Sequence, residues 1–123
     1  MIHGESAVEL EELTRLCGNV SALIDSDRTE AGEVPRAGIV EFQKNCDSLN
    51  INCHILDRRA LENYLTTAAI RTEKSEKYEA LGPYQRLKDL PISWGKDENW
   101  KIAYHMDKAD LQQTDLGQFL DEL

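Results

Sequence analysis

Two aspartates separated by a single serine, Asp25-Ser26-Asp27, are the residues of this sequence best suited to chemistry. They come directly after the apolar residues 20–24. Residues two apart on an extended segment point to the same side, so both carboxylates can converge on one or two divalent cations, which take oxygen ligands. A simple turn is the alternative, since aspartate and serine favour turns on backbone grounds alone. The abrupt change from an apolar run to two acids favours the metal site.

The elements that must position these acids are predicted from the apolar pattern. Residues 20–24 are apolar apart from Ser21 and too few for a helix, which is typical of a strand buried on both faces. Residues 51–56 are predicted to form the next short strand. Helical spacing in residues 7–17 and after Pro35 predicts helices before and between the strands. This alternation predicts an α/β domain with a mainly parallel, Rossmann-like sheet flanked by helices, at whose carboxyl edge ligands bind.

The N-terminal part adds a short strand and a loop to this prediction. Residues 1–3 are an apolar start typical of a first strand. Ser6 is placed to cap the first helix and Gly18 to end it. Residues 26–35 mix charge with glycine and proline and predict a mobile loop.

Additional helices are predicted in the C-terminal part. Apolar residues recur at helical spacing in residues 59–70, 100–106 and 111–123. Thr114 is placed to cap the last turns. The polar residues 71–97 predict an irregular excursion with short helical turns at most.

Length and composition limit the class of protein. The chain has 123 residues, of which 41% are apolar and 30% charged, so one domain with one core is expected. The apolar runs are far shorter than the ~20 residues of a membrane span, and no signal peptide is recognisable, so a cytoplasmic location is expected. The three cysteines form no metal-binding pattern and are expected to be reduced thiols in the core.

The net charge of −9 argues against a chain that holds nucleic acid by nonspecific attraction, which needs lysine and arginine against the phosphates. Nucleic acid as a substrate is not excluded, because bound metal ions would reverse the local field at a carboxylate site.

Three segments, taken in their order and spacing, resemble the Toprim domain of the OLD-family (overcoming lysogenization defect) nucleases. Residues 20–28 resemble the strand and DxD motif of that domain, and residues 54–65 resemble its next strand and the helix that follows. Residues 100–103 resemble a later helix that carries a lysine. The resemblance covers most of the chain.

The resemblance implies metal-dependent hydrolysis of nucleic-acid phosphodiester bonds, with DNA as the substrate, of the kind used in defence against phage. It implies that Asp25 and Asp27 bind Mg²⁺ or Mn²⁺, and that Glu62 is a further ligand or a catalytic carboxylate beside the metal. It also implies that Lys101 stabilises the charge of the transition state. The alternatives are that Glu62 is a solvated helix residue and Lys101 a surface lysine.

The chain departs from the Toprim pattern at its start, where the first strand of that domain and its glutamate have no counterpart. Residues 1–123 are therefore expected to be a single, truncated Toprim-like domain with an incomplete catalytic set. Glu5 matches the glycine-rich turn of the family and not its glutamate. The resemblance implies an ATPase domain or subunit as partner, because in OLD nucleases an ATPase precedes the Toprim domain; a degenerate stand-alone relative is the alternative. This sequence has no P-loop motif, so it does not itself bind ATP in that way. A homo-oligomer is a further expectation.

Two other functions remain open at the level of the sequence. One is a non-catalytic interaction or regulatory module that retains the fold, because the glutamate is missing. The other is a haloacid-dehalogenase-like phosphatase, which the residues 25–29 resemble, although no late apolar strand ends in the acid pair that this family needs.

Overall fold

The computed structural model of the chain describes residues 7–16 and 19–123. Several expectations lie outside these residues, namely the first strand at 1–3, Glu5 at its end, the Ser6 cap, Cys17 and the helix end at Gly18.

The described residues form six α-helices, two strands and three short 3-10 helices. The α-helices are α1 (Ala7–Leu16), α2 (Ala37–Ser48), α3 (Thr67–Glu73), α4 (Asn99–Ala103), α5 (Lys108–Leu111) and α6 (Asp115–Asp121). The strands are β1 (Ser21–Ile24) and β2 (Asn52–Ile55). The 3-10 helices are Leu61–Tyr64, Leu87–Asp89 and Lys96–Glu98. The predicted mixture of helices and parallel strands is confirmed.

Strands β1 and β2 pair in parallel, with Ser21 opposite Asn52 and Ile24 opposite Ile55. Ala22, Leu23 and Ile24 are all buried, although successive side chains of a strand point to opposite faces. The prediction of a strand buried on both faces is therefore confirmed. In the described part of the chain the sheet has these two strands, so a wider Rossmann-like sheet of the Toprim kind remains a prediction.

The core consists of three apolar clusters that the sheet and the helices divide between them. One lies between the sheet and α2, and its buried members are Ala22, Ile24, Ile39, Phe42, Cys46 and Ile51. A second contains Leu23, Leu56, Tyr64, Leu116 and Phe119, and so joins the sheet to α6. The third joins α3 to α4, and its buried members are Leu65, Ala69, Ile70, Leu81, Trp94 and Ile102.

The helix predicted over residues 59–70 is broken. The 3-10 helix Leu61–Tyr64 ends at Leu65, whose backbone is extended. Thr66 then begins α3, because its hydroxyl accepts a hydrogen bond from the N–H of Ala69. The spacing of apolar residues does not reveal this break, because it takes no account of polar residues. The break depends on the Thr66 hydroxyl, which binds a backbone N–H.

The two C-terminal predictions also need correction. The helix predicted over residues 100–106 ends at Ala103, and the helix predicted over 111–123 starts only at Asp115, because Leu111 already ends the separate helix α5. The division between α5 and α6 falls at Thr114, whose hydroxyl accepts a hydrogen bond from the N–H of Gly117. The Thr114 cap is thus confirmed, and it begins a new helix there because it satisfies a backbone donor of the first turn.

The polar segment 71–97 is irregular, as predicted, and Asn63 ties it to the rest of the fold. Asn63 is 2% exposed. Its side-chain amide donates to the carbonyl oxygens of Gly82 and Gln85, at 2.8 Å in both cases, and its amide oxygen accepts from the N–H of Ala60. Leu16, at the end of α1, is 83% exposed, so the helical spacing of residues 7–17 does not mean burial at that residue.

Two glycine positions give a matched test of this packing. Gly117 in α6 faces the backbone of α5, and a Cβ there would overlap the carbonyl oxygen of Leu111. Gly38 in α2 has open space around it. We expect Gly117→Ala to lower the free energy of unfolding by about 2–3 kcal/mol, since backbone cannot move aside as a side chain can. Gly38→Ala should raise it by up to about 1 kcal/mol, because alanine restricts the unfolded chain. Urea unfolding of both variants measures this, and equal effects would contradict the described contact between α5 and α6.

Candidate functional site

Asp25 lies where the sequence predicted it, directly after the last residue of the buried strand β1. Its Oδ1 accepts a hydrogen bond of 3.1 Å from the N–H of Leu61. Leu61 begins the 3-10 helix that also contains Glu62. The carboxyl end of β1 therefore meets the element that carries the second predicted acid.

Asp27 is turned away from an extended course. Its φ is 57°, in the left-handed region, which aspartate visits more readily than most residues. The N–H groups of Ser26 and Asp27 both donate to the carbonyl oxygen of Arg59, at 3.0 Å each, and this shared acceptor bends the chain. The Asp27 carboxylate lies 3.3 Å from the guanidinium of Arg36. The extended geometry expected for Asp25-Ser26-Asp27 is thus not found at Asp27.

Glu62 is a buried carboxylate, with 6% of its surface exposed. The Nζ atom of Lys96 lies 3.5 Å from its Oε1, and the Lys96 side chain itself is largely exposed. Burial of a carboxylate is costly unless a cation or hydrogen-bond donors compensate it. The alternative that Glu62 is merely a solvated helix residue is therefore wrong, although its role in binding a metal remains a prediction.

Lys101 lies on the exposed side of α4. Its Nζ is 5.7 Å from the centroid of the Trp100 ring. It lines a shallow cavity of about 230 Å³ together with Glu73, Tyr104 and His105. Lys96, and not Lys101, is the lysine that the structure places beside Glu62.

The predicted metal ligands fit a divalent ion only in part. In the range 7–16 and 19–123, no three His, Cys, Asp or Glu side chains are grouped so that they could hold a metal ion. Asp25 and the helical turn of Glu62 are brought together, whereas Asp27 pairs with Arg36. Mg²⁺ is often held by one or two carboxylates, with waters and substrate phosphates in the other positions. Mg²⁺ or Mn²⁺ as the metal therefore remains a prediction.

Arginines at the carboxyl edge of the strands were not among the predicted site residues. Arg28 donates through NH1 to the carbonyl oxygen of Leu56 at 2.7 Å and through Nε to that of Glu33 at 2.9 Å. Arg59 donates through NH1 to the carbonyl oxygen of Asp27 at 2.9 Å. The signal in the sequence was present, because an arginine follows the acid at the end of each predicted strand. These arginines hold the two loops together.

The loop at residues 26–35, predicted to be mobile, is closed by hydrogen bonds. The Glu33 carboxylate accepts from both the N–H and the hydroxyl of Thr29, at 2.9 Å in each case. These bonds lower the pKa of Glu33. Together with Arg28, they hold the loop against the carboxyl edge of the sheet.

A second polar cluster, centred on Asp115, lies at the carboxyl end of β2. Its Oδ1 accepts from the Tyr64 hydroxyl at 2.6 Å, and its Oδ2 lies 2.7 Å from His54 Nε2 and accepts from the Asp57 N–H at 2.9 Å. The His54 ring also stacks on Phe119, with 5.2 Å between centroids, so the imidazole is packed against α6. The cluster joins β2, the 3-10 helix and α6.

The pKa values in this cluster follow from burial and hydrogen bonding. Burial raises the pKa of the Asp115 carboxyl, but the hydrogen bonds that it accepts, above all from Tyr64, outweigh burial and hold the pKa below its ordinary value. Burial and the bond to Asp115 raise the pKa of the Tyr64 hydroxyl. Asp115 is therefore ionised and Tyr64 neutral at neutral pH.

The described cysteines, Cys46 and Cys53, are free thiols. Cys46 is fully buried, and burial raises its pKa. Burial also raises the pKa of Cys53 to about 12. Both thiols are therefore protonated at neutral pH and poor nucleophiles, as expected for packing residues.

Comparisons with protein-family models, with curated proteins and with solved structures gave no match to this chain. None of the described helices is long and apolar enough to cross a membrane.

The Asp115 cluster gives a prediction for stability and its pH dependence. We expect Asp115→Asn to lower the free energy of unfolding by about 2–4 kcal/mol near neutral pH, because a carboxylate that accepts several hydrogen bonds is lost. The folded pKa lies below the unfolded value of about 3.9, so this stabilisation is present above that value and is lost as the pH falls through the folded pKa. The stability difference between the two proteins should therefore shrink below about pH 4.

Urea unfolding at a series of pH values measures this difference. Asp47→Asn, at an exposed position of α2, is the control with the same change of charge. A difference for Asp115→Asn that stays constant down to low pH would show that the Asp115 pKa is not lowered by folding.

Proposed function

We propose that this chain is a metal-dependent nuclease domain of the Toprim kind, which hydrolyses phosphodiester bonds of nucleic acid, with DNA as the substrate. The observation that supports the proposal most is the position of Asp25. It follows a buried strand of a parallel pair and contacts the turn that carries Glu62. Ligand sites of parallel α/β folds lie at this carboxyl edge.

Asp25 and Glu62 are the residues that would hold Mg²⁺ or Mn²⁺ in this proposal. A divalent ion at this place would polarise the phosphate and lower the pKa of a bound water. Asp27 joins the ligand set only where its ion pair with Arg36 opens, since that pair now holds its carboxylate. The ammonium group of Lys96, 3.5 Å from Glu62, is close enough to meet a phosphate oxygen bound beside that acid.

The resemblance assigns Lys101 the role of the cation that stabilises the transition state. In the structure its ammonium group lies beside the Trp100 ring. Lys96 is the competing candidate for that role. The two lysines therefore need to be tested side by side.

The proposal includes a partner, because the described residues offer too few ligands for a complete site. An ATPase domain or subunit, or another copy of the chain in a homo-oligomer, would supply the missing carboxylate. Action in the cytoplasm against phage DNA is the setting that the resemblance implies.

A non-catalytic interaction module is the second candidate function. The ion pair between Asp27 and Arg36 and the position of Lys96, in place of Lys101, beside Glu62 favour it. In that case the hydrogen bonds and ion pairs at the carboxyl edge of the sheet only stabilise the loops, and no metal is needed.

Thermal unfolding with and without metal tests the proposed site. Millimolar Mg²⁺ or Mn²⁺ should raise the melting temperature by about 3–6 °C at roughly ten times Kd, because a ligand of the folded state stabilises it by mass action. The double variant Asp25→Asn, Asp27→Asn should lose this response, and Asp47→Asn should keep it. An unchanged melting temperature in the unaltered protein at all metal concentrations would remove the basis for the site.

Nicking of supercoiled plasmid in Mn²⁺ tests the activity. We expect slow nicking that falls by a factor of about 100 or more in Asp25→Asn and in Glu62→Gln, because each removes a group on which the chemistry depends. Lys96→Ala and Lys101→Ala, compared directly, show which lysine acts on the phosphate. Nicking that survives Asp25→Asn would overturn the assignment, and stabilisation by metal without any nicking would favour the interaction module.

A further inference from the structure

A continuous apolar groove lies on the side of the molecule formed by α4, α5 and α6. Two adjoining cavities of about 430 and 420 Å³ share the side chains of Ala103, Met106 and Leu111 in their walls. The first cavity extends towards Leu61 on the 3-10 helix, and the second towards Leu120 on α6. The groove therefore crosses from the turn beside Glu62 to the C-terminal helix.

Several large apolar side chains of the groove are open to water. Trp100 is 68% exposed, and Leu61 and Leu120 are 43% and 40% exposed. Each square ångström of apolar surface left in water costs about 25 cal/mol. Contiguous apolar patches of this kind mark interaction surfaces more often than isolated exposed residues do.

The residues that line the groove have a net negative charge, because its two lysines are each balanced by an acid and two further aspartates are not. Each cation that lines the groove has an acidic neighbour, since Lys96 lies 3.5 Å from Glu62 and Lys108 lies 3.0 Å from Asp121. Asp97 and Asp107 also line the groove, and neither pairs with a cation of the described chain. The rim therefore has a negative charge beside an apolar floor.

We propose that this groove binds a basic amphipathic helix of a partner polypeptide. Apolar side chains at i, i+3 or i+4, and i+7 of such a helix would fill the two cavities in succession, as in other grooves that bind a single helix. Its lysines or arginines would lie against Asp97 and Asp107. The groove shares Leu61 and Lys96 with the surroundings of the proposed metal site, but binding of a helix to it needs no metal.

The charge of the chain decides against two other occupants. A second copy would bring its own acidic rim and a chain of net charge −9, and a nucleic acid would bring phosphates to that rim. Both contacts are repulsive, whereas a basic helix is attracted.

Trp100 allows the binding to be measured directly. The chain has two tryptophans, of which Trp94 is 4% exposed and Trp100 lines the groove. The probe is a peptide of about 18 residues composed of leucine, alanine and lysine, with leucine at the helical spacing and no aromatic residue. Titration in EDTA should shift the Trp100 emission to shorter wavelength and protect it from iodide. Trp100→Phe should remove both changes.

Two peptide controls separate shape from charge. A peptide with glutamate in place of every lysine should bind at least about tenfold more weakly, since it meets the same rim with the opposite charge. A scrambled peptide of the same composition should also bind at least about tenfold more weakly, because its leucines do not share one face of a helix.

A matched pair of variants locates the site. Ala103→Arg puts a long cationic side chain into the wall shared by both cavities and should weaken binding of the lysine peptide by at least about tenfold. Ala68→Arg, at an exposed position of α3 outside the groove, should leave it unchanged. Circular dichroism checks that both variants are folded. The double variant Asp97→Asn, Asp107→Asn should bring the lysine and glutamate peptides closer in affinity.

Three results would overturn the proposal. The first is equal binding of the lysine peptide to Ala103→Arg and to the unaltered chain. The second is equal binding of the scrambled peptide, which would reduce the effect to nonspecific charge attraction. The third is self-association of the chain that Ala103→Arg abolishes, which would make a second copy the occupant.

Discussion

The fold depends on one backbone acceptor, the carbonyl oxygen of Arg59, which accepts hydrogen bonds from the N–H groups of both Ser26 and Asp27. Parallel strands cannot be joined by a tight turn, so the loops after them need contacts of their own. The Arg59 carbonyl supplies that contact for the loop after β1. In the same loop Asp25 accepts from the N–H of Leu61, and Asp27 has a left-handed conformation. The geometry of the candidate site is thus set by main-chain hydrogen bonds more than by its carboxylates.

At the carboxyl edge of the strands, the arginines stabilise the loops, and the acids are the candidates for chemistry. Arg28 and Arg59 donate to carbonyl oxygens and so have fixed positions. Glu62, in contrast, is buried with an exposed lysine as its charged neighbour, an arrangement that leaves the cation free to turn towards a ligand. Preorganised backbone around one adaptable ion pair suits the binding of an anion such as a phosphate.

The sequence predicted the features that depend on neighbours along the chain. The buried strand β1, the position of Asp25 at its end and the Thr114 cap follow from short patterns, and the structure agrees with each. The conformation of Asp27 depends on hydrogen bonds with Arg59, which lies 32 residues further along the chain. Periodicity cannot show such a partner, nor which of two lysines lies beside Glu62.

The Asp115 carboxylate has a consequence for the order in which the chain is completed during synthesis. Its partners Tyr64 and His54 precede it by 51 and 61 residues. Both are made long before α6 leaves the ribosome, and until then the apolar face formed by Leu23, Leu56 and Tyr64 has no helix to cover it. The growing chain therefore exposes one of its three apolar clusters until α6 has been made, and exposed apolar surface makes a nascent polypeptide prone to aggregation.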